Sequence, residues 1–203
     1  MTIAIIAITV AVSIFCFQND HWFLRLLLNP FQTWHRREWW RMVSHGFVHA
    51  DWIHLFVNMF VLYSFGRAAE RYFGDLAGLG YLKFPMLHYL IVYFGGMVVS
   101  SLPSLWRHRD NPDYNSVGAS GAVSAILFVD IFFSPLQNLY LYFIPMPGIV
   151  FGVLYVIYSQ VMSRRSKDNI NHEAHLTGAL FGFIYPILIK PDLIRVFLGQ
   201  LGL

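Results

Sequence analysis

The chain has 203 residues, of which 57% are hydrophobic and 18% aromatic, while only 12% are charged. A soluble domain carries about 25% charged residues, so this composition and a mean hydropathy of +0.52 indicate a single membrane domain over residues 1–203. The net charge of +3, without a basic block among aromatics, predicts no nucleic-acid partner, and a lone cysteine, Cys16, excludes an internal disulfide.

Six segments are long and apolar enough to predict membrane spans, which need about 20 largely apolar residues. In chain order they cover about 2–18, 51–72, 84–103, 117–134, 147–163 and 172–189. Prolines mark several boundaries, and Pro103 is expected to end the third span and Pro135 the fourth. The sequence therefore predicts an all-α membrane protein with six transmembrane helices.

The connection over residues 19–50 is too apolar for an ordinary aqueous loop. It contains aromatic residues typical of the membrane–water interface, among them Trp22, Trp34, Trp39 and Trp40. Its arginines are expected to extend to the lipid headgroups, namely Arg36, Arg37 and Arg41. The pattern predicts a membrane-associated first loop, folded as an interfacial helix pair, and leaves open a role in shielding a site.

Two polar residues with neighbouring glycines open apolar helices. Ser120 lies between Gly118 and Gly121, and His175 precedes Gly178. Serine is nucleophilic when a base takes its proton, and neutral imidazole is an effective base near neutral pH. A helix start also offers unpaired N–H groups to a developing oxyanion. The pair indicates hydrolytic chemistry, with a small-residue packing face and a packing histidine as the alternatives.

A third polar group opens the second span. His54 and Asn58 are four residues apart and share one helix face, where their N–H donors can complete an oxyanion hole or hold neighbouring helices together. A metal site is the other interpretation of the histidines. However, the stretch from His172 to His175 is one residue short of the H-E-x-x-H pattern, and acidic ligands are scarce within the spans. We therefore expect neither a metal nor a cofactor.

Taken together, these motifs resemble the rhomboid intramembrane serine proteases. The similarity covers roughly residues 34–190 and includes, in the family's order, Trp40-Arg41, His45-Gly-Phe-Val-His49, His54-x₃-Asn58, Gly66-Arg67-x₂-Glu70-x₃-Gly74, Gly118-Ala-Ser120-Gly121 and Ala174-His175-x₂-Gly178-x₃-Gly182. Several linked motifs at matching separations are far more specific than a lone G-x-S-G.

The resemblance implies a six-helix rhomboid-like bundle that acts as a serine endopeptidase. A Ser120/His175 dyad would cleave transmembrane segments of membrane proteins through an acyl-enzyme. The Ser120 backbone N–H, His54 and Asn58 would bind the oxyanion, and His49 would have a mainly structural role. The partners implied are transmembrane protein substrates and the lipid bilayer, whereas the physiological substrate and the oligomeric state stay open.

The resemblance also implies where the site opens. The fifth span would be the substrate gate, the 163–171 loop a cap, and the site would face the extracytoplasmic side of a bacterial inner membrane. The positive-inside rule predicts the opposite orientation, because nine of the 14 Lys and Arg residues lie on the side of Ser120 and His175. We follow the resemblance, since its linked motifs are more specific than this bias.

The sequence departs from the family at Ser124, where many members carry an aromatic residue that stacks on the histidine. Two alternatives follow: a less restrained His175, or an aromatic residue supplied from elsewhere. The chain also lacks the extra soluble domain and seventh span of some members, and is expected to be a minimal form. Two rival functions are a non-enzymatic relative that binds membrane helices, and a transporter, for which no inverted repeat is evident.

Overall fold

A computed structural model describes residues 1–141, 144–165 and 171–203. In this part of the chain the elements are α1 (Thr2–Phe17), α2 (Asp20–Leu26), α3 (Pro30–His35), α4 (Arg41–Ser44), a 3₁₀ turn (His45–Phe47), α5 (Trp52–Gly78), α6 (Pro85–Arg107), α7 (Ser120–Phe133), β1 (Asn138–Leu141), β2 (Ile144–Pro147), α8 (Gly148–Arg165), α9 (His172–Ile189) and α10 (Leu193–Gln200). The protein is mostly helical, and the two strands, which the all-α prediction did not include, form a small antiparallel hairpin.

The six long helices α1 and α5–α9 lie where the sequence predicts the six spans. Among the helices described, only Pro85–Arg107 is both long and apolar enough, by length and composition, to cross a membrane. Three shorter apolar helices accompany it, at Thr2–Phe17, Ser120–Phe133 and Gly148–Ser163. The six-span arrangement therefore stays a prediction.

The prediction that Pro103 ends the third span is wrong, because α6 continues through it to Arg107. Proline removes one helical hydrogen bond, but its fixed φ suits a helix. Leu105, two residues further on, is buried against Leu28 and Met42 of the first loop. This packing holds the last turn of α6 in place.

Helix α7 lies at the centre of the fold. Every residue from Gly121 to Phe132 is buried, as expected for a helix that is apolar on all sides. Helices α5, α6 and α9 surround it, whereas α8 packs mainly on α9. The sequence did not predict α10, whose Phe197 ring stacks on Phe132 with the ring centroids 5.4 Å apart.

Helices α7 and α9 approach each other backbone to backbone. A Cβ atom at Gly178 would collide with the Gly121 carbonyl oxygen, and one at Gly182 would collide with that of Ala125. Small residues allow such close packing between helices that lack a strong hydrophobic driving force in lipid. The contact fixes the relative position of the two helix starts, where the predicted site lies.

The first loop folds around Arg41, which contradicts the expectation that this side chain extends to the headgroups. Arg41 is 4% exposed. Its guanidinium donates to the carbonyls of Leu24 (3.2 Å) and Leu27 (2.7 Å), to Gln32 Oε1 (2.6 Å) and to the Glu38 carboxylate. A planar group with five donors can bind several acceptors at once, so short helices collect around it instead of a plain helix pair.

Replacing Arg41 with Ala should destabilise the fold by about 3 kcal/mol, because the variant leaves buried carbonyls without a donor and Glu38 without its cation. The measurement is thermal unfolding in detergent. Arg36→Ala removes an exposed arginine from the same loop and serves as the matched control. Equal midpoints for the two variants would show that Arg41 does not organise the loop.

Candidate active site

Ser120 is the first residue of α7 and is half-buried. Gly118, two residues before it, has φ of +108°, a conformation that L side chains rarely adopt. A Cβ atom at Gly118 would also lie 2.6 Å from Cε1 of His54. Glycine is therefore needed here for the backbone conformation and for the close approach of the His54 imidazole.

The segment before Ser120 is held by the first loop. The Gly118 N–H donates to the His45 carbonyl (2.9 Å), and the Ala119 N–H donates to His49 Nε2 (3.4 Å). Leu28 and Ser116 exchange two backbone hydrogen bonds of 2.9 Å, which form an isolated antiparallel bridge. The predicted first loop thus supports the segment that positions the candidate nucleophile.

His49 connects this segment to α1. Because Nε2 accepts from the Ala119 N–H, the ring proton lies on Nδ1, which donates to Ser13 Oγ (3.0 Å), and Ser13 donates to the Phe47 carbonyl (2.9 Å). His49 is fully buried. Burial, followed by the nearby His54, lowers its pKa from 6.5 to about 3. These contacts fit the structural role that the resemblance implies.

His54, on α5, lies against the segment that precedes α7, and Asn58 is one turn further along α5. Asp51 caps α5 by accepting from the His54 N–H (2.7 Å), and the His54 ring lies edge-on to His49 with the centroids 5.0 Å apart. Asn58 is buried and donates one N–H to the His54 carbonyl (2.9 Å). Its amide carries a second N–H, which can point to a ligand.

His175 lies in the first turn of α9 and is its fourth residue, since the helix begins at His172. Asn171 caps this start by accepting from the Ala174 N–H (3.1 Å). A Cβ atom at Gly121, next to Ser120, would lie 3.5 Å from the carbonyl oxygen of Ala174, next to His175. The structure therefore brings the two predicted residues to adjacent helix starts.

The hydrogen bonds found within the described ranges do not include one between Ser120 and His175. In enzymes without substrate such bonds are often long and tighten in the complex. The Glu173 carboxylate pairs with Arg107 at 2.6 Å. Most of the predicted 163–171 cap, residues 166–170, lies outside the described residues.

The sequence left two alternatives at Ser124: a less restrained His175, or an aromatic residue supplied from elsewhere. The structure favours the second, with Tyr155 as the aromatic residue. The Tyr155 ring, from α8, stacks on His175 with a centroid distance of 6.3 Å and an interplanar angle of 24°. Its hydroxyl lies 2.6 Å from Ser124 Oγ. An aromatic residue from elsewhere therefore lies beside the histidine, and no spacing in the sequence predicted it, because α8 and α9 are separate helices.

No group of three or more His, Cys, Asp and Glu side chains that could hold a metal ion occurs among the residues searched, which are those the structure describes. The polar side chains around Ser120 are instead joined through hydrogen bonds to backbone groups and hydroxyls, as at His49 and Asn58. The donors present suit an oxyanion better than a cation.

Residues 36–191 match the family described as Rhomboid domain. The chain belongs to the rhomboid family. This membrane-embedded family includes RHOMBOID-like protein 12, mitochondrial, of Arabidopsis thaliana, which is 34% identical over 150 residues that cover 68% of this chain and 43% of that protein. Putative rhomboid protease YdcA of Bacillus subtilis (strain 168) is 28% identical over 152 residues, or 74% of this chain and 67% of that protein.

A second Bacillus subtilis (strain 168) relative, Rhomboid protease GluP, is 26% identical over 146 residues, which cover 72% of this chain and 25% of that protein. The rhomboid chain thus spans from a quarter to two thirds of the lengths of these three relatives. Two of the three are named as proteases, and rhomboid proteases are serine proteases.

Gly178→Ala should push α9 away from α7, because the new methyl group collides with the Gly121 carbonyl. We expect a loss of about 1–3 kcal/mol in unfolding free energy, with loss of any activity that needs Ser120 and His175 together. The control is Gly74→Ala in α5, where an added Cβ meets nothing within 4 Å. Equal stability and activity of the two variants would contradict the close α7–α9 contact.

Acid should destabilise the protein through His49. Its folded pKa, about 3, lies below the ordinary value of 6.5, so the unfolded chain binds more protons between these values. The contribution of the neutral His49 imidazole to the free energy of unfolding is fully present above pH 6.5 and declines as the pH falls toward 3. The measurement is the thermal midpoint in detergent at pH 7.5, 6, 5 and 4.

His49→Gln is the matching variant, because an amide can accept from Ala119 and donate to Ser13 without titrating. Its midpoint should fall less steeply with acid than that of the unmodified protein. The midpoint of the variant should still fall somewhat with acid, because burial also lowers the pKa of His45 to about 4. Identical slopes for variant and parent would refute the contribution of His49.

Proposed function

We propose that this rhomboid protein is an intramembrane serine endopeptidase that cleaves transmembrane segments with a Ser120/His175 dyad. The single observation that carries the proposal is the glycine contact between α7 and α9, which brings the two side chains to adjacent helix starts. The serine-protease chemistry of the family supports the assignment. Neither a metal nor a cofactor is needed for the reaction.

In the acylation step, Ser120 Oγ attacks the carbonyl carbon of the scissile peptide bond while His175 takes the hydroxyl proton. The tetrahedral intermediate then collapses, and the C–N bond breaks as His175 returns the proton to the leaving amine. The products are an ester between Ser120 and the N-terminal part of the substrate, and a free amine on the C-terminal part.

The negative oxygen of the intermediate needs donors at the start of α7. The Ser120 N–H belongs to the first turn of the helix, where no partner lies within the helix. His54 supplies a ring N–H, and Asn58 supplies the amide N–H that does not bind the His54 carbonyl. Donors already held in place cost little reorganisation, and each contributes about 10²–10³ in rate.

Water completes the cycle by hydrolysing the ester. His175 takes a proton from water as the water oxygen attacks the ester carbonyl, and Ser120 leaves with a proton from His175. Both residues are half-buried and not fully enclosed, so water can reach them. The product is a carboxylic acid, and the free serine is restored.

Exposed apolar surfaces on α5 and α8 support a transmembrane helix as the substrate. Large apolar side chains are exposed along α5, including Ile53, Phe56 and Phe60, and along α8, including Leu154 and Ile157. A transmembrane helix can pack between such faces and approach Ser120 from the bilayer. Its backbone must leave the helix before it is cut, so substrates with helix-weakening residues near the cut are favoured.

Fluorophosphonate labelling tests the proposed function. The purified protein in detergent or liposomes should label at one site, and Ser120→Ala and His175→Ala should each abolish labelling while unfolding at the parent temperature. Asn58→Ala should lower the labelling rate about 10²-fold, since it removes one oxyanion donor.

Ser124→Ala is the control for the serine, because Ser124 lies one turn along α7 and should not be the labelled residue. Labelling that persists in Ser120→Ala would disprove the assignment. A folded parent protein that neither labels nor cleaves a transmembrane substrate would favour the non-enzymatic function.

The orientation in the membrane belongs to the same proposal: the site opens to the extracytoplasmic side of a bacterial inner membrane. The only native cysteine, Cys16, is 1% exposed, so an introduced cysteine reports its own side. Asp113→Cys, on the site side, should react with an impermeant maleimide in intact cells, and Lys83→Cys should react only after lysis. The reverse pattern would place the site in the cytoplasm, as the charge count predicts.

A further inference from the structure

We propose that Tyr155 is a positioning residue for His175, and that α8 thereby controls whether the dyad is assembled. The proposal rests on the proposed function, because it assigns a role within that site. Tyr155 itself touches neither the scissile bond nor the oxyanion. Its effect is exerted through the imidazole on which its ring stacks.

The rings of Tyr155 and His175 are in contact. The Tyr155 and His175 rings are close to parallel, with an interplanar angle of 24° and centroids 6.3 Å apart. Aromatic pairs prefer offset-stacked or edge-to-face arrangements with centroids about 4.5–7 Å apart. The tyrosine therefore limits the rotation of an imidazole that lies in the first turn of α9.

A chain of hydrogen bonds holds Tyr155 in place. Ser124 Oγ lies 2.7 Å from the Ser120 carbonyl, which can only accept, so the serine proton is donated there. Tyr155 must then donate its own proton to Ser124 Oγ, 2.6 Å away. One residue of α8 is thus tied to the backbone of Ser120 and to the ring of His175.

Helix α8 is packed on one face only. It packs mainly on α9, contacts α7 less, and exposes apolar side chains that include Val153, Leu154 and Ile157. A helix with one packed face and one exposed face can move more easily than the buried α7. Any displacement of α8 withdraws the Tyr155 ring, so this stacking contact restrains His175 only while α8 stays packed on α9.

Purely structural packing is the competing explanation, because Phe128 and Phe151 also lie against the Tyr155 ring. The two explanations differ in what restores activity. If the ring positions His175, another aromatic ring in the same space should restore turnover. If the tyrosine only fills space, an apolar side chain should serve equally well.

The experiment measures cleavage of a single-span reporter by the full chain in liposomes, together with fluorophosphonate labelling. Tyr155→Leu should lower kcat about tenfold with little change in KM, since the loss concerns the orientation of the base and not substrate binding. Tyr155→Phe keeps the ring but loses the hydrogen bond to Ser124, and should retain more of kcat than Tyr155→Leu. Val161→Ala, which shortens an exposed side chain on the same helix, is the control.

The exchange variant Ser124→Tyr with Tyr155→Ser returns the ring to the same space from α7. It should recover activity relative to Tyr155→Leu, and its ring would no longer follow α8.

Several results would overturn the proposal while leaving the proposed function intact. If the parent labels through Ser120 and His175, but Tyr155→Leu matches it in kcat and labelling rate, Tyr155 does not position the base. If Tyr155→Leu does not fold, loss of kcat in Tyr155→Phe, or no activity in a folded exchange variant, contradicts the role of the ring. Failure of the parent to label through Ser120 would instead reject the proposed function.

Discussion

The backbone contact between α7 and α9 is the constraint on which the rest of the structure depends. Gly178 and Gly182 let α9 lie directly against the carbonyls of Gly121 and Ala125. In a bilayer, helices associate through close packing of small residues more than through the hydrophobic effect. Because Ser120 and His175 each lie within one turn of this contact, the packing that holds the bundle together also sets the geometry of the candidate site.

A second support reaches the same place from the first loop. Buried Arg41 collects the short helices of that loop, whose Leu28 pairs with Ser116, while His45 and His49 accept the N–H groups of Gly118 and Ala119. These hydrogen bonds replace solvent for backbone groups that would otherwise be buried without partners. The position of Ser120, the candidate nucleophile at the start of α7, therefore depends on residues more than 70 positions earlier in the chain.

Much of the fold could be predicted because long apolar runs and glycine positions are local signals. The starts of α7 and α9 follow from Ser120 and from the polar residues before His175, and the resemblance to rhomboid proteases rests on such motifs. The burial of Arg41, the end of α6 beyond Pro103 and the helix α10 depend on packing partners distant in sequence. The contact between Tyr155 and His175 could not be predicted for the same reason, because the two residues belong to different helices and no periodicity links them.

The most direct test is cleavage of a single-span reporter in liposomes, with the cut located by mass spectrometry. We expect the parent protein to cut the reporter into two fragments at a bond within the membrane segment, and Ser120→Ala and His175→Ala to leave it intact. A reporter that stays intact with a folded parent protein, or that is cut equally by Ser120→Ala, would contradict cleavage by a Ser120/His175 dyad.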